Sequence, residues 1–137
     1  MRLWHYKLLP VLPDKFIIAE WRECIAIKRQ WEKGTLKHRL VSYVMDYDKK
    51  YFMSYVFDLG VEMDKREIKY KDKLYDEICE FCNWNGVLNG NYNYLEHNDR
   101  YLKQCFYNLE EKFDRGIITE QEWFKILEVA YKEDIIE

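Results

Sequence analysis

Glu23 is the side chain whose neighbours best equip it for chemistry. A helical wheel at about 100° per residue, started at Asp14, puts Ile17, Ile18, Trp21, Cys24 and Ile25 on one wide apolar face and Phe16 and Ile27 on another. Glu23 falls at the edge of that surface, with the small Ala19 and Ala26 one turn away on either side, which leaves room for another chain segment or a ligand. A carboxylate held against apolar surface has its pKa raised and can act as a general acid or base. Lys15, Arg22 and Arg29 recur every seven residues beside it as a basic stripe that could hold phosphates, although ion pairs on a solvated helix produce the same spacing. Glu20, between Phe16 and Trp31 on the wheel, reads as a structural group that meets a base or a neighbouring helix.

Other residues carry weaker signals. His5 is the best of the three histidines for proton transfer near Glu23, and Lys37-His38-Arg39 would extend the basic surface. Trp4, Trp21 and Trp31 could stack on an extruded base, with core packing the expectation for Trp21. Cys79-x-x-Cys82 with Cys24 and Cys105 could supply four sulfurs, but the second Cys-x-x-Cys pair of a zinc site is missing, so these read as packing thiols and no metal is expected. No P-loop, dinucleotide fingerprint or nucleophile elbow occurs, and no cofactor is expected.

The elements that must position these residues read as helices. Pro10 and Pro13 exclude a regular helix over residues 1–13, which are expected to form an extended arm. Asp14 is placed to cap a helix through about Trp31, stopped near Gly34. Helical spacing continues at 36–47, 49–66 and 70–83. Residues 83–98 hold six Asn and the turn dipeptides Asn85-Gly86 and Asn89-Gly90, and read as a loop or short hairpin. A helix over 99–115 stops at Gly116, and Thr119-x-x-Glu122 forms a capping box for the last helix, with Ile118 and Trp123 as its hydrophobic staple. The expected architecture is all-α: a single domain over 1–137, a compact bundle of five or six helices behind the arm.

Composition agrees with this and narrows the function. A chain of 137 residues with 48% hydrophobic, 34% charged and 18% aromatic residues can bury one core, which excludes disorder and collagen-like repeats. No apolar run suits a signal peptide or a membrane helix, so a cytoplasmic protein with reduced cysteines is expected. The net charge of -3 is unevenly spread. Residues 1–50 carry 11 Lys and Arg against 6 Asp and Glu, a balance of +5, while residues 51–137 carry 11 against 19, a balance of -8. An anionic partner should meet the N-terminal part.

The run Leu12-Pro13-Asp14-Lys15-Phe16-Ile17-Ile18-Ala19-Glu20-Trp21-Arg22-Glu23 resembles the first helix of the pyrimidine-dimer DNA glycosylase family, the phage endonuclease V type. Met1-Arg2-Leu3-Trp4-His5 and Asn98-Asp99-Arg100-Tyr101-Leu102-Lys103-Gln104-Cys105 resemble a bacterial branch of that superfamily. The resemblance implies an all-α domain in DNA base excision repair, whose arm threads between helices and presents its α-amine beside the first-helix glutamate. That amine attacks the sugar C1′ of a damaged nucleotide, releases the base, forms an imine and nicks the strand by β-elimination. The implied catalytic residues are Glu23 and the N-terminal residue, Met1 or Arg2. The implied substrate contacts on damaged duplex DNA are Arg22, His5, Lys15 and Arg29.

The sequence departs from the family pattern in three ways. Initiator methionine is normally retained before a residue as large as Arg2, which would move the amine to Met1, about 3.3–3.6 Å along an extended chain. Phe16 replaces a first-helix histidine, and the acidic C-terminal part lacks the basicity of a protein that scans DNA. Two other functions fit the same residues. One is a non-catalytic member of the fold that binds nucleic acid or protein through the basic first-helix face, and the other is a hydrolase of nucleosides or small glycosides.

Overall fold

The computed structural model describes residues 1–86, 90 and 92–135, and among these the regular structure is entirely helical. Five α-helices occur among the described residues: α1 (Asp14–Lys33), α2 (Lys49–Lys65), α3 (Asp72–Phe81), α4 (Asp99–Asp114) and α5 (Glu120–Lys132). No helix among the described residues is long and apolar enough to cross a membrane. Buried side chains from every α-helix, from Leu3, Leu8, Leu9 and Leu12 of the arm, and from Ile135 join in one core cluster. In α1 that contribution is Ile17, Trp21, Cys24 and Ile27, spaced at the three- and four-residue steps of one helix face.

Local chemistry sets the helix ends. Asn98 accepts the Tyr101 amide at 2.9 Å to start α4, and to start α5 the Thr119 amide donates to Glu122 Oε1 at 2.9 Å while the Glu122 amide donates to Thr119 Oγ1 at 3.2 Å. Ile118 and Trp123, the staple positions, are both buried. Gly34 and Gly116 close α1 and α4 at φ of 73° and 77°, a region where a side chain would be strained. Asp14 is the first residue of α1 rather than its cap. Pro13 holds the cap position without a side-chain hydrogen bond, and the Asp14 carboxylate instead pairs with Arg66 at 2.9 Å.

Two expectations are corrected. The helix read over 36–47 shrinks to a 3-10 turn at Ser42–Asp46. The buried side chains here are Leu36, Val41 and Val44, at steps of five and three, and Leu40, which a helical stripe would bury, is 50% exposed. The arm is not extended throughout, because Tyr6–Val11 form a 3-10 helix that contains Pro10. A short 3-10 segment tolerates proline near its end, where only one hydrogen bond is forfeited. The His5 Nδ1 caps it by accepting the Lys7 amide at 3.2 Å. Residues 92–98 have no regular structure, and Asn89 and Asn91, with any hairpin around them, lie outside the described residues.

Arg66, at the end of α2, fixes the 3-10 helix in place. Its guanidinium donates to the carbonyls of Leu12 at 2.6 Å, Pro10 at 3.1 Å and Leu9 at 3.2 Å, and to Glu62 at 2.9 Å. Lysine has neither the planar fork nor the number of donors to repeat this. Arg66→Lys should cost about 1.5–3 kcal/mol, read as a lower midpoint in urea with little change in slope.

A second fixture joins the arm to the segment before α4. The buried rings of His5 and His97 lie 5.5 Å apart, and His97 Nε2 meets the Tyr43 hydroxyl at 2.8 Å. Burial lowers their pKa from 6.5 to about 4 for His5 and about 3 for His97. Unfolding exposes both to water, so below about pH 6.5 the unfolded chain takes up protons that the folded chain refuses. Stability should therefore fall as pH drops from about 6.5 towards 4. In His97→Asn the slope of unfolding free energy against pH over that range should be roughly halved, measured by denaturation at several pH values.

Candidate active site

The first five residues cross α1 and dock onto it through two backbone amides. The Arg2 N–H donates to Glu23 Oε2 at 3.0 Å, and the Trp4 N–H donates to Glu20 Oε2 at 2.8 Å. The match is one of periods. Amides two residues apart in an extended chain point the same way, and carboxylates three residues apart on a helix share a face. The arm's carbonyls are held from the other side, that of Leu3 by the Tyr101 hydroxyl of α4 and that of Trp4 by the Tyr55 hydroxyl of α2 at 2.7 Å.

Where the arm meets α1 a cleft of about 190 Å³ opens, lined by Trp4, Phe16, Ala19, Glu20, Glu23 and Lys112. The Trp4 and Phe16 rings stack nearly parallel, 6.1 Å apart with 9° between planes. Cations cover this aromatic wall: the Arg2 guanidinium sits 5.4 Å from the Trp4 ring, and the Lys15 and Lys112 ammonium groups each lie 5.8 Å from the Phe16 ring. The cleft thus has one apolar side, two carboxyl groups and a lysine from α4. At this size it falls below the roughly 300–1,000 Å³ of pockets that engulf a drug-sized ligand and can take a unit such as one sugar.

The two carboxyl groups differ in environment. Glu20 is 1% exposed, and burial pushes its pKa well above the carboxylate range, opposed by the Trp4 N–H and reinforced by the negative charge of Glu23. Glu23 is half-buried and opens to the cleft. Burial, with Glu20 and Glu23 adding to it, pushes the Cys24 thiol well up, and burial also raises Cys105, so neither has the thiolate character of a nucleophile. Cys79 and Cys82 are half-buried and free. Among the described residues no three His, Cys, Asp or Glu side chains gather as metal ligands would.

The remaining residues singled out from the sequence are dispersed. Met1 is half-buried against the core, and the backbone nitrogen on Glu23 is that of Arg2. His5 is 1% exposed, with its Nδ1 taken by the Lys7 amide and its ring against Tyr6 and His97. Lys15 donates to the Ile117 carbonyl before α5, and Arg29 faces Glu77 of α3 at 3.8 Å. Arg22 is exposed and makes no hydrogen bond or ion pair among the described residues. It borders a shallow groove with Ile25, Ala26, Arg29, Gln30 and Leu74.

Lys112 and the joint placement of Glu20 with Glu23 escape the sequence reading. For Lys112 there was no signal, because its approach to Phe16 spans almost a hundred residues of chain. For Glu20 the signal was its three-residue step from Glu23.

A family model described as pyrimidine dimer DNA glycosylase matches residues 1–76, which take in the arm, α1, α2 and the start of α3. No curated protein and no solved structure matches the chain. Within the matched stretch the Tyr55 hydroxyl, 2.7 Å from the Trp4 carbonyl and 3.1 Å from Glu20 Oε2, ties the arm to both helices. Tyr55→Phe removes the donor to the Trp4 carbonyl in a buried site. It should cost about 1–3 kcal/mol by thermal or urea unfolding and speed hydrogen exchange at the Trp4 amide.

Proposed function

The chain belongs to the pyrimidine dimer DNA glycosylase family, and from that membership and the docking of the arm we propose a DNA glycosylase with associated abasic-site lyase activity on damaged duplex DNA. The observation that carries the reading is the 3.0 Å hydrogen bond from the Arg2 backbone nitrogen to Glu23 Oε2. Cutting the Met1–Arg2 peptide bond turns that nitrogen into an α-amine without moving it. Its reference pKa of about 7.7–8.0 leaves an appreciable neutral fraction near pH 7, where a lysine would need strong perturbation.

On this reading one nitrogen and one carboxyl carry the chemistry. A sugar C1′ inside a duplex is out of reach of a nitrogen in a small cleft, so the damaged nucleotide must turn out of the stack. Glu23 accepts a proton from the attacking amine, the N–C1′ bond forms, and the glycosidic bond breaks with its electron pair leaving on the base. Glu23 returns its proton to the ring oxygen, whose departure from C1′ as a hydroxyl gives the imine, and the regenerated carboxylate then removes a C2′ proton and expels the 3′ phosphate. Arg22, exposed and uncommitted, is the cation for a strand phosphate, and Lys112 supplies a second positive charge at the cleft. Lys15 and Arg29 already have partners and contribute field rather than contact, while His5 acts by packing.

Borohydride trapping on duplexes with an abasic site or a pyrimidine dimer, followed by peptide mapping, tests this. The expected adduct is on the nitrogen of Arg2, with Met1 absent, and Glu23→Gln should reduce it by about 10²–10⁴-fold. An adduct on the Met1 nitrogen would shift the nucleophile by one residue. No adduct on either duplex would remove the lyase reading.

A further inference from the structure

Glu20 is a buried carboxyl that catalysis as described above does not use, and its hydrogen bonding is unequal. Oε2 takes the Trp4 amide at 2.8 Å and lies 3.1 Å from the Tyr55 hydroxyl, whereas Oε1 is buried with no hydrogen-bond partner. An ionised carboxylate would leave an uncompensated charge on that oxygen. A protonated one needs an acceptor for its proton. Oε2 already takes the Trp4 amide and Oε1 has no other partner, so a proton on Oε1 is the one that the Glu23 carboxyl, within side-chain hydrogen-bond reach of Glu20, can accept. The carboxyl that shares the cleft is that of Glu23, one turn on along α1.

Resting on the proposed use of Glu23 as acid and base, we infer that Glu20 is a positioning residue that holds a proton on Oε1 and donates it to the Glu23 carboxylate. This hydrogen bond fixes the Glu23 rotamer opposite the Arg2 nitrogen, where it can receive the amine proton. It also joins the two carboxyls into one unit that docks both arm amides. Two ionised carboxylates sharing this cleft would repel. The charged and titratable groups around Glu20 are Glu23 and Cys24 on α1, Tyr55 on α2 and Tyr43 in the 3-10 turn, with Lys112 of α4 lining the same cleft and the Arg2 guanidinium over the Trp4 ring of its wall. The only cations in that set are Lys112 and Arg2, and neither forms an ion pair with Glu20 among the described residues.

Carbon-13 NMR of the glutamate carboxyls, with Glu20 assigned by its loss in Glu20→Gln, reads the proton directly and needs no activity. The Glu20 resonance should stay at its protonated position from about pH 5 to about pH 8. In Glu23→Gln its midpoint should drop by about one pH unit or more, because the like charge is gone and the amide can donate to Oε1. An ionised Glu20 at neutral pH, or a midpoint indifferent to Glu23→Gln, would overturn the inference. Single-turnover base release provides the functional readout. Glu20→Gln can donate to Glu23 but cannot titrate, and should keep roughly a tenth of the rate and lose the alkaline fall of wild type. Glu20→Leu should fall about a hundredfold further. Equal losses in the two variants with an unchanged pH profile would make Glu20 merely structural. If the wild-type protein releases no base, the proposed function fails while the titration still decides the carboxyl pair.

Discussion

Two backbone amides of an irregular arm are matched to two carboxyl groups of a helix, and the site exists because of that match. An arm of five residues ahead of the 3-10 helix has no strand partner and no helical ladder, so its polar groups need side-chain partners or water. Residues 2 and 4 find acceptors in Glu23 and Glu20, and the carbonyls of residues 3 and 4 find donors in Tyr101 and Tyr55. Every helix that supplies a partner is thereby required to hold its place relative to the arm. Leu3, fully buried between those anchors, adds the apolar contribution that makes the docking more than a set of exchangeable hydrogen bonds.

This constraint explains which parts of the fold were legible. Helices α1, α2, α4 and α5 depend on near-neighbour spacing and on caps such as Gly34, Gly116 and the Thr119–Glu122 box, all of which are written locally. The 3-10 helix was not, because Pro10 reads as a breaker unless Arg66, more than fifty residues away, is known to collect the carbonyls around it. The 36–47 segment failed for a related reason. Its apolar residues could be fitted to a helical stripe, but Leu40 is left half exposed and Val41 is buried instead.

At the site the same division holds. Glu23 stood out because its edge position and its alanine neighbours are properties of one helix, and the structure places it on the cleft wall with Ala19 beside it. Glu20 was read as structural from the same wheel. That describes its anchoring role but misses that both carboxyls serve one arm, since the partner amides belong to backbone and carry no sequence signature. The basic stripe of Lys15, Arg22 and Arg29 is regular in sequence and unequal in space, with Lys15 engaged at Ile117, Arg29 at Glu77, and Arg22 left to face solvent. Lys112 reaches the cleft only through the packing of α4, which no local pattern could reveal.

On the proposed reading, the register of the arm makes one covalent bond decisive. In a peptide bond the nitrogen lone pair is delocalised into the carbonyl, so the Arg2 nitrogen can donate a hydrogen bond to Glu23 but cannot attack carbon. Cleaved from Met1, the same nitrogen becomes a nucleophile whose base is already within hydrogen-bond distance. The fold need not change between the two forms. Trp4 stays on Glu20, Tyr55 and Tyr101 keep the following carbonyls, and the Arg2 side chain keeps its place over the indole. An amine one residue earlier would lie about 3.3–3.6 Å further along an extended chain, and a misplacement of about 1 Å can already cost a hundredfold in rate. On that reading the identity of residue 2 bears on whether Met1 is removed, and the distance from residue 2 to Glu23 makes that removal the step that creates the nucleophile.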